Sequence, residues 1–466
     1  MRSASSPPVR KPTKTGSTSS DSVYPEATRR GPRERLVQAA IELWARSGSQ
    51  STTIAEICAH AGVSTATFYE HFAGKEECMV TAHRVACESV LSEVLPTDEA
   101  LRPDEAGWRE AALATLERTF AALQRDRDGA QVLLVGALAG GTLLRSEGAQ
   151  ACRQFERRAE QLLQSAPAAQ MRVEVPAVAV VAALRSICAR RLHGGHEDAL
   201  AALAPELLVW LCSYSVAANT PPVASRLDAL VPTTVVAKPS KRASPRRLPR
   251  GRHGLPASVV AHSRRTRIIQ ATAEVTMAKG YNETTVKDIV AAAGISREAF
   301  YEHFADKQAA FLEAQAYPTQ YIVERCAAAY FAAEGWPTRV WMALSALVKL
   351  VAVNPAVAHL RLVECYAAGP AAIRGAEEIT RSFAIFLEEG YSYREESRAL
   401  PRLCSEAIAG AIFEVMRRSV VRGEGATLQH QLPLLTYLAI APFTGAEEAA
   451  RLVAQMGSQR LMAAGR

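Results

Sequence analysis

The chain has 466 residues, 48% of them apolar and 22% charged, with a formal net charge of +7. Those are the proportions of a soluble globular protein with enough chain for about three domains. The first 30 residues hold no apolar run fit for a signal peptide, and no stretch approaches the ~20 uninterrupted apolar residues of a membrane span. A soluble, cytoplasmic protein without membrane contact is therefore expected.

The positive charge is concentrated in two segments. Residues 1–32 carry +4 and residues 229–263 carry +7, which leaves −4 for everything else. Both segments are rich in proline and lack periodicity, so 1–32 reads as a disordered basic arm and 232–262 as a basic linker. Basic arms that lead into folded modules neutralise phosphates without needing order of their own.

The segment 33–80 begins a motif that returns later. Arg35–Met79 recurs at Arg267–Phe311, 232 residues on and without a gap, with 19 of 45 positions identical. Within each copy, Ile54, Ile57, Cys58 and Ala61, or Val286, Ile289, Val290 and Ala293, form one apolar helical stripe. Thr53 with Glu56, and Thr285 with Asp288, fit a capping box that starts this helix. Ala61-Gly62-Val63-Ser64 and Ala293-Gly294-Ile295-Ser296 then break it, and the serine caps the next helix. Two helices joined by a tight glycine turn make a helix-turn-helix, whose second member can enter the major groove.

The segment 81–231 reads as helical, with Trp108–Arg125, Ala149–Gln164 and Pro176–Arg191 as its clearest helices and no strand signal. After the linker, 263–312 holds the second motif. Residues 313–466 are again helical: Trp341, Leu344, Leu347, Val348 and Val351 keep helical spacing up to Asn354-Pro355. A further helix is expected from Gly369-Pro370 to Leu387, and another over Ala407–Arg422. Nine single cysteines, none in a C-x-x-C pair, exclude a disulfide framework and read as small apolar filler. There is no G-x-S-x-G, H-E-x-x-H, P-loop or strand-borne G-x-G-x-x-G, so neither an enzyme, a cofactor nor a metal is expected. His193 and His196 around Gly194-Gly195 read as a solvated turn.

The repeated strings A-G-V-S-T-A-T-F-Y-E-H-F-A-G-K and A-G-I-S-R-E-A-F-Y-E-H-F-A-D-K, with Gly48 or Gly280 and the Thr-Thr pairs, closely resemble the DNA-binding domain of the TetR family of bacterial transcriptional regulators. The resemblance implies an all-α chain of two helix-turn-helix domains, each followed by a helical-bundle domain for ligand binding and dimerisation. It makes Thr53, Tyr69, His71 and Lys75 phosphate contacts in the first head, and Thr285, Tyr301, His303 and Lys307 in the second. Phe68, Phe72, Phe300 and Phe304 are expected to pin each recognition helix to its own core. Base reading would fall to Thr65, Ala66 and Thr67 in the first head and to Arg297, Glu298 and Ala299 in the second. An arginine suits guanine and a glutamate suits cytosine, whereas threonine suits a thymine methyl. The two heads therefore imply different half-sites.

Family members are ordinarily homodimers on palindromic sites. One chain with two heads is expected to form a covalent pseudo-dimer on double-stranded DNA with an asymmetric operator; a homodimer of fused chains with four heads is the other architecture. Repression, the family's commoner mode, and release by an unknown small apolar ligand are what the resemblance implies. The competing reading is a partner-binding regulator in which only the first head binds DNA.

Overall fold

The computed structural model describes residues 31–49, 51–94, 104–167, 170–194, 200–223, 227 and 256–464. The basic arm up to residue 30, the linker up to residue 255 and His196 lie outside these residues. The described chain is all-α apart from one ribbon. The first half holds α1 (Pro32–Ser47), α2 (Ile54–Ala61), α3 (Thr65–His71), α4 (Lys75–Leu91), α5 (Glu105–Arg125), α6 (Thr142–Gln164), α7 (Ala177–His193) and α8 (Ala204–Cys212). The second holds α9 (Ala257–Lys279), α10 (Val286–Ala293), α11 (Arg297–Tyr301), α12 (Lys307–Ala316), α13 (Thr319–Phe331), α14 (Trp336–Val353), α15 (Pro370–Phe383), α16 (Leu403–Val421), α17 (Leu432–Thr444) and α18 (Ala446–Ala464).

The apolar spacing in α14 buries Trp341, Leu344, Leu347, Val348 and Val351 on one side of the helix. Pro337 sits in its first turn, and Asn354 followed by Pro355 stops it. Among the described residues α14 is the one helix long and apolar enough to cross a membrane, and 56% of it is buried inside the structure. Three features depart from the sequence reading. α9 starts at Ala257, within the stretch read as linker, with Pro256 as its N-terminal cap position. α15 stops at Phe383, and a 3₁₀ segment continues from Ala384 to Ser392. Its Gly390 lies so close to Trp336 and Phe443 that a Cβ there would meet either ring at 2.7 Å. Finally, Met171–Val173 pairs antiparallel with Ser215–Ala217, a ribbon too short to show alternation in sequence.

Each head has its own core. Leu36, Ile41, Trp44, Ile57, Phe68, Phe72 and Met79 build the first; Ile268, Ile289, Phe300, Phe304 and Phe311 build the second. The bodies instead share one core that runs from Trp108, Phe120 and Trp210 of the first half to Val348, Ile408 and Tyr437 of the second. The halves meet along α7 and α16, where a Cβ on Gly410 would lie 2.7 Å from the Ser186 Cβ and 3.7 Å from the Ala183 Cα. Only glycine allows that approach. Around it Arg185 pairs with Glu414, Arg190 with Glu406 at 3.2 Å, Arg191 with Glu406 at 3.4 Å, and Arg418 with Glu156. The Tyr214 hydroxyl donates to the Leu438 carbonyl at 2.8 Å, and the Tyr437 hydroxyl returns a bond to the Glu174 carbonyl at 3.0 Å.

All nine cysteines are free. Burial pushes the thiols of Cys78, Cys87, Cys188, Cys326, Cys365 and Cys404 up to about 12, which makes them packing groups with little thiolate.

Candidate nucleic-acid interface

The two heads are built by the same local chemistry. The Thr53 hydroxyl accepts from the Glu56 amide at 3.2 Å, and the Glu56 carboxylate accepts from the Thr53 amide at 2.8 Å. The Thr285 hydroxyl accepts from the Asp288 amide at 3.2 Å, and Asp288 accepts from the Thr285 amide at 3.0 Å. Both capping boxes are thus complete. Gly62 and Gly294 close their helices at φ 64° and 61°, a left-handed conformation that a side chain would strain. Val63 and Ile295 then donate back to Cys58 and Val290 at 3.0 and 3.2 Å. Ser64 caps α3 by accepting from the Thr67 amide at 3.0 Å, and Ser296 caps α11 by accepting from Ala299 at 3.2 Å.

Phe68, Phe72, Phe300 and Phe304 are buried and seat each recognition helix on its head. Tyr69 and Tyr301 stand edge-on to Phe68 and Phe300, with centroids 5.5 and 5.4 Å apart, while 57% and 46% of their surface stays open. A buried ring therefore orients an exposed phenol in each head. His71 and His303 are half-buried, and His303 Nε2 is sealed from solvent without a hydrogen-bond partner.

The lysines sit on the turn after the first helix of each head. Lys75 Nζ donates to the carbonyls of Ser49 and Thr52, both at 3.0 Å. Lys307 Nζ donates to the Tyr281 carbonyl at 2.9 Å and lies 4.2 Å from the centre of the Tyr281 ring. Burial lowers the Lys307 ammonium below its ordinary value. The turn leaves carbonyls without helical partners, and the ammonium satisfies them. The hydroxyls of Thr53 and Thr285 are also engaged, donating to Glu56 at 2.9 Å and Asp288 at 2.7 Å.

The residues expected to read bases fall into two groups. Thr65, Ala66, Arg297 and Glu298 are exposed. Thr67 is half-buried with its hydroxyl 2.9 Å from Ser64 Oγ, and Ala299 is buried at 8% exposure. Ala299 is thus core packing; without a branch or a polar atom, it has nothing to reach past the helix. Arg297 lies over the Tyr301 ring at 5.7 Å, with Nη2 3.4 Å from the phenol oxygen. Hydrogen bonds from its own amide and from Ser296 hold the Glu298 carboxyl below its ordinary value, so it serves the helix cap.

Two contributors escaped the sequence reading. Arg267, identical to Arg35 in the first copy, donates to the carbonyls of Ala293 and Gly294 and so holds the turn itself; the identity was the available signal. Glu364, which has no counterpart motif in the repeat, fixes the start of the second turn by accepting from the Tyr281 amide at 2.7 Å.

The family model described as bacterial regulatory proteins, tetR family, matches residues 36–81 and 268–314. Over 75 residues the chain is 33% identical to the uncharacterized HTH-type transcriptional regulator YerO of Bacillus subtilis (strain 168), covering 16% of this chain and 25% of that protein. It is 34% identical over 110 residues to the HTH-type transcriptional regulator TcmR of Streptomyces glaucescens, covering 23% of this chain and 45% of that one. The chain thus spans a quarter to under half of the length of these curated relatives. Among solved structures, FadR from Bacillus halodurans is similar at TM-score 0.32 and 16% identity, covering 39% of this chain and 96% of its own. SmeT, the repressor of a Stenotrophomonas maltophilia multidrug efflux pump, is similar at TM-score 0.32 and 21% identity, covering 42% and 96%.

Proposed function

We propose that this chain, which carries two TetR-family amino-terminal domains in tandem, is a DNA-binding transcriptional regulator whose two heads act together on one asymmetric operator. The observation that carries the reading is the duplicated helix-turn-helix on two bodies that share a core, with different exposed residues at the start of each recognition helix. Tyr69 and Tyr301 hydrogen-bond to phosphates, and the helix starts at Thr53 and Thr285 offer amides and dipole to the same backbone. His71 and His303 flank these contacts. Lys75 and Lys307 brace the turn and add positive charge behind it. Thr65 and Ala66, with Thr67 at the rim, read one half-site; Arg297 reads the other.

Repression and release by a small apolar ligand complete the proposal. An apolar cavity of about 120 Å³ within the first body, walled by Leu116, Phe120, Phe155, Val181 and Leu184, supports an apolar effector. The second body holds one of about 90 Å³, walled by Ile322, Leu347, Ile379, Phe383 and Met416. Such a ligand acts only through a preference for one spacing of the heads.

Sedimentation of the chain with duplex DNA from upstream of its own coding sequence tests the stoichiometry. One chain per duplex is expected; two chains per duplex would replace the reading with four heads on a longer site. One observation favours a second reading, in which only the first head binds: Glu298 places an exposed acid where phosphates would come close. On that reading Arg297→Ala and Tyr301→Phe leave affinity unchanged while Tyr69→Phe lowers it.

A further inference from the structure

Between α7 of the first half and α16 of the second lies a cavity of about 80 Å³ that belongs to neither body alone. Its charged wall consists of Arg185 and Arg190 from the first half and Arg361, Glu377, Glu414 and Arg417 from the second. Four guanidiniums thus face two carboxylates, an excess of two positive charges. The pairs just outside do not change the balance, because Arg191 and Arg418 are matched by Glu406 and Glu156.

The carboxylate at the centre is already committed. Glu414 accepts from Arg417 at 2.7 and 2.6 Å, from Arg418 at 3.2 Å, and from Arg185. Arg361 is buried with no ion-pair partner among the described residues. It donates to the Gln315 carbonyl and, at 2.9 Å, to the Thr319 hydroxyl. Burial lowers its guanidinium to about 10. Arg190 is nine-tenths buried; Nη1 reaches Glu406 at 3.2 Å, but Nη2 is sealed from solvent without any partner. Glu377 lies near Arg190, as do the like charges of Arg191 and Arg381, and burial still depresses the Arg190 guanidinium. A buried donor left unmet beside surplus positive charge marks a place for an acceptor that the chain does not supply. Apart from Ser186, Tyr366 and Thr380, the rest of the wall is apolar, including Leu134, Leu362, Ile379 and Phe413.

We propose that this cavity binds a small organic carboxylate, its anionic end on Arg190 and Arg361 and its apolar part against Leu362, Ile379 and Phe413. A singly charged carboxylate fits better than inorganic phosphate, since half the wall is hydrocarbon and a bare polyanion would leave it unmatched. The site adjoins the apolar cavity of each body, sharing Leu134 and Arg185 with the first and Arg361, Leu362, Ile379 and Phe413 with the second, and differs from them in drawing its charged wall from both halves. It rests on the pairing of the two halves but not on DNA binding.

Calorimetric titration of the full chain with benzoate is the test, with benzamide and inorganic phosphate as comparators. One saturable benzoate site per chain is expected, with benzamide at least tenfold weaker. Arg190→Gln and Arg361→Gln, each checked for a cooperative melt, should each weaken benzoate at least tenfold. No saturable benzoate uptake, equal uptake of benzamide, tighter uptake of phosphate, or undiminished benzoate binding in both variants would each overturn the proposal. A protease site inserted between residues 240 and 241 separates the two failures. Halves that co-elute after cleavage but take up no benzoate overturn the site alone, whereas halves that part overturn the pairing and the site together.

Discussion

Arg145 of the first half and Glu364 of the second form a two-pronged ion pair, at 2.7 and 3.2 Å, across the junction of the halves. The carboxylate is fully buried, and it also accepts from the Tyr281 amide at 2.7 Å while lying 3.3 Å from His359 Nε2. A single acid thereby ties the first body to the second body and the second head. The first head is seated differently: a Cβ on Gly136 would lie 2.8 Å from the Trp44 ring, so that contact is ring against backbone.

Burial alone would raise the Glu364 carboxyl, but hydrogen bonds from His359 and Arg145, with the Arg145 charge, outweigh it and hold the group at about 2. A depressed folded value gives stability above the ordinary carboxylate range, lost as pH falls from about 4.5 through about 2. Glu364→Gln should lower unfolding free energy at pH 7 by about 3 kcal/mol and flatten the acid limb in that window. Urea melts of both proteins from pH 7 to pH 2 check this; parallel curves would refute it.

Gly410 is the point of closest approach between the halves. Gly410→Leu should force α7 and α16 apart and cost about 3 kcal/mol or more through overpacking against Ser186 and Ala183. Thermal melts should split into two transitions as the shared core divides. A single unshifted transition would show that the contact tolerates bulk.

Lys75 and Lys307 should matter for stability before they matter for DNA. Replacing either by methionine leaves turn carbonyls unmet and should cost about 1–3 kcal/mol. Chemical denaturation measures this directly. An unchanged midpoint, with DNA affinity lost, would mean that the ammonium leaves the turn for the phosphate.

Transferring the first head's residues to the second, as Arg297→Thr with Glu298→Ala, should convert the preferred operator from an asymmetric to a palindromic site. Each exchanged base contact is worth about 1–3 kcal/mol of discrimination. Selection from a randomised duplex pool reports the preference; the same enriched sequence for both proteins would mean that these positions do not read bases.

The heads were legible because their signals are local. Thr53 and Glu56, or Gly62 and Ser64, act within a few residues of each other, so spacing carries their geometry. Helices such as α14 showed through apolar periodicity for the same reason. The seat of Lys75 on the turn did not show, because it depends on Ser49 and Thr52, more than 20 residues away in sequence. The burial of Ala299 did not show either, because its exposure is set by how α11 lies on its core. Nothing in the sequence marked Glu364, Gly410 or the cavity between the halves, since the contacts that join the halves there, Arg145 to Glu364 and Ser186 to Gly410, span more than 200 residues and no periodicity connects them.

The ion pairs between the bodies have a direction. Among the described residues, the first half supplies the base in Arg145–Glu364, Arg185–Glu414, Arg190–Glu406 and Arg191–Glu406, and the acid only in Glu156–Arg418. Two first halves meeting through this face would leave Arg145, Arg185, Arg190 and Arg191 facing arginines, and two second halves would leave Glu364 and Glu406 without their arginines. A self-associating subunit cannot carry such a polarised face, because its partner always presents the same charges. Joining the halves in one chain removes that restriction, and each body has become the other's counter-surface, able to refuse its own kind.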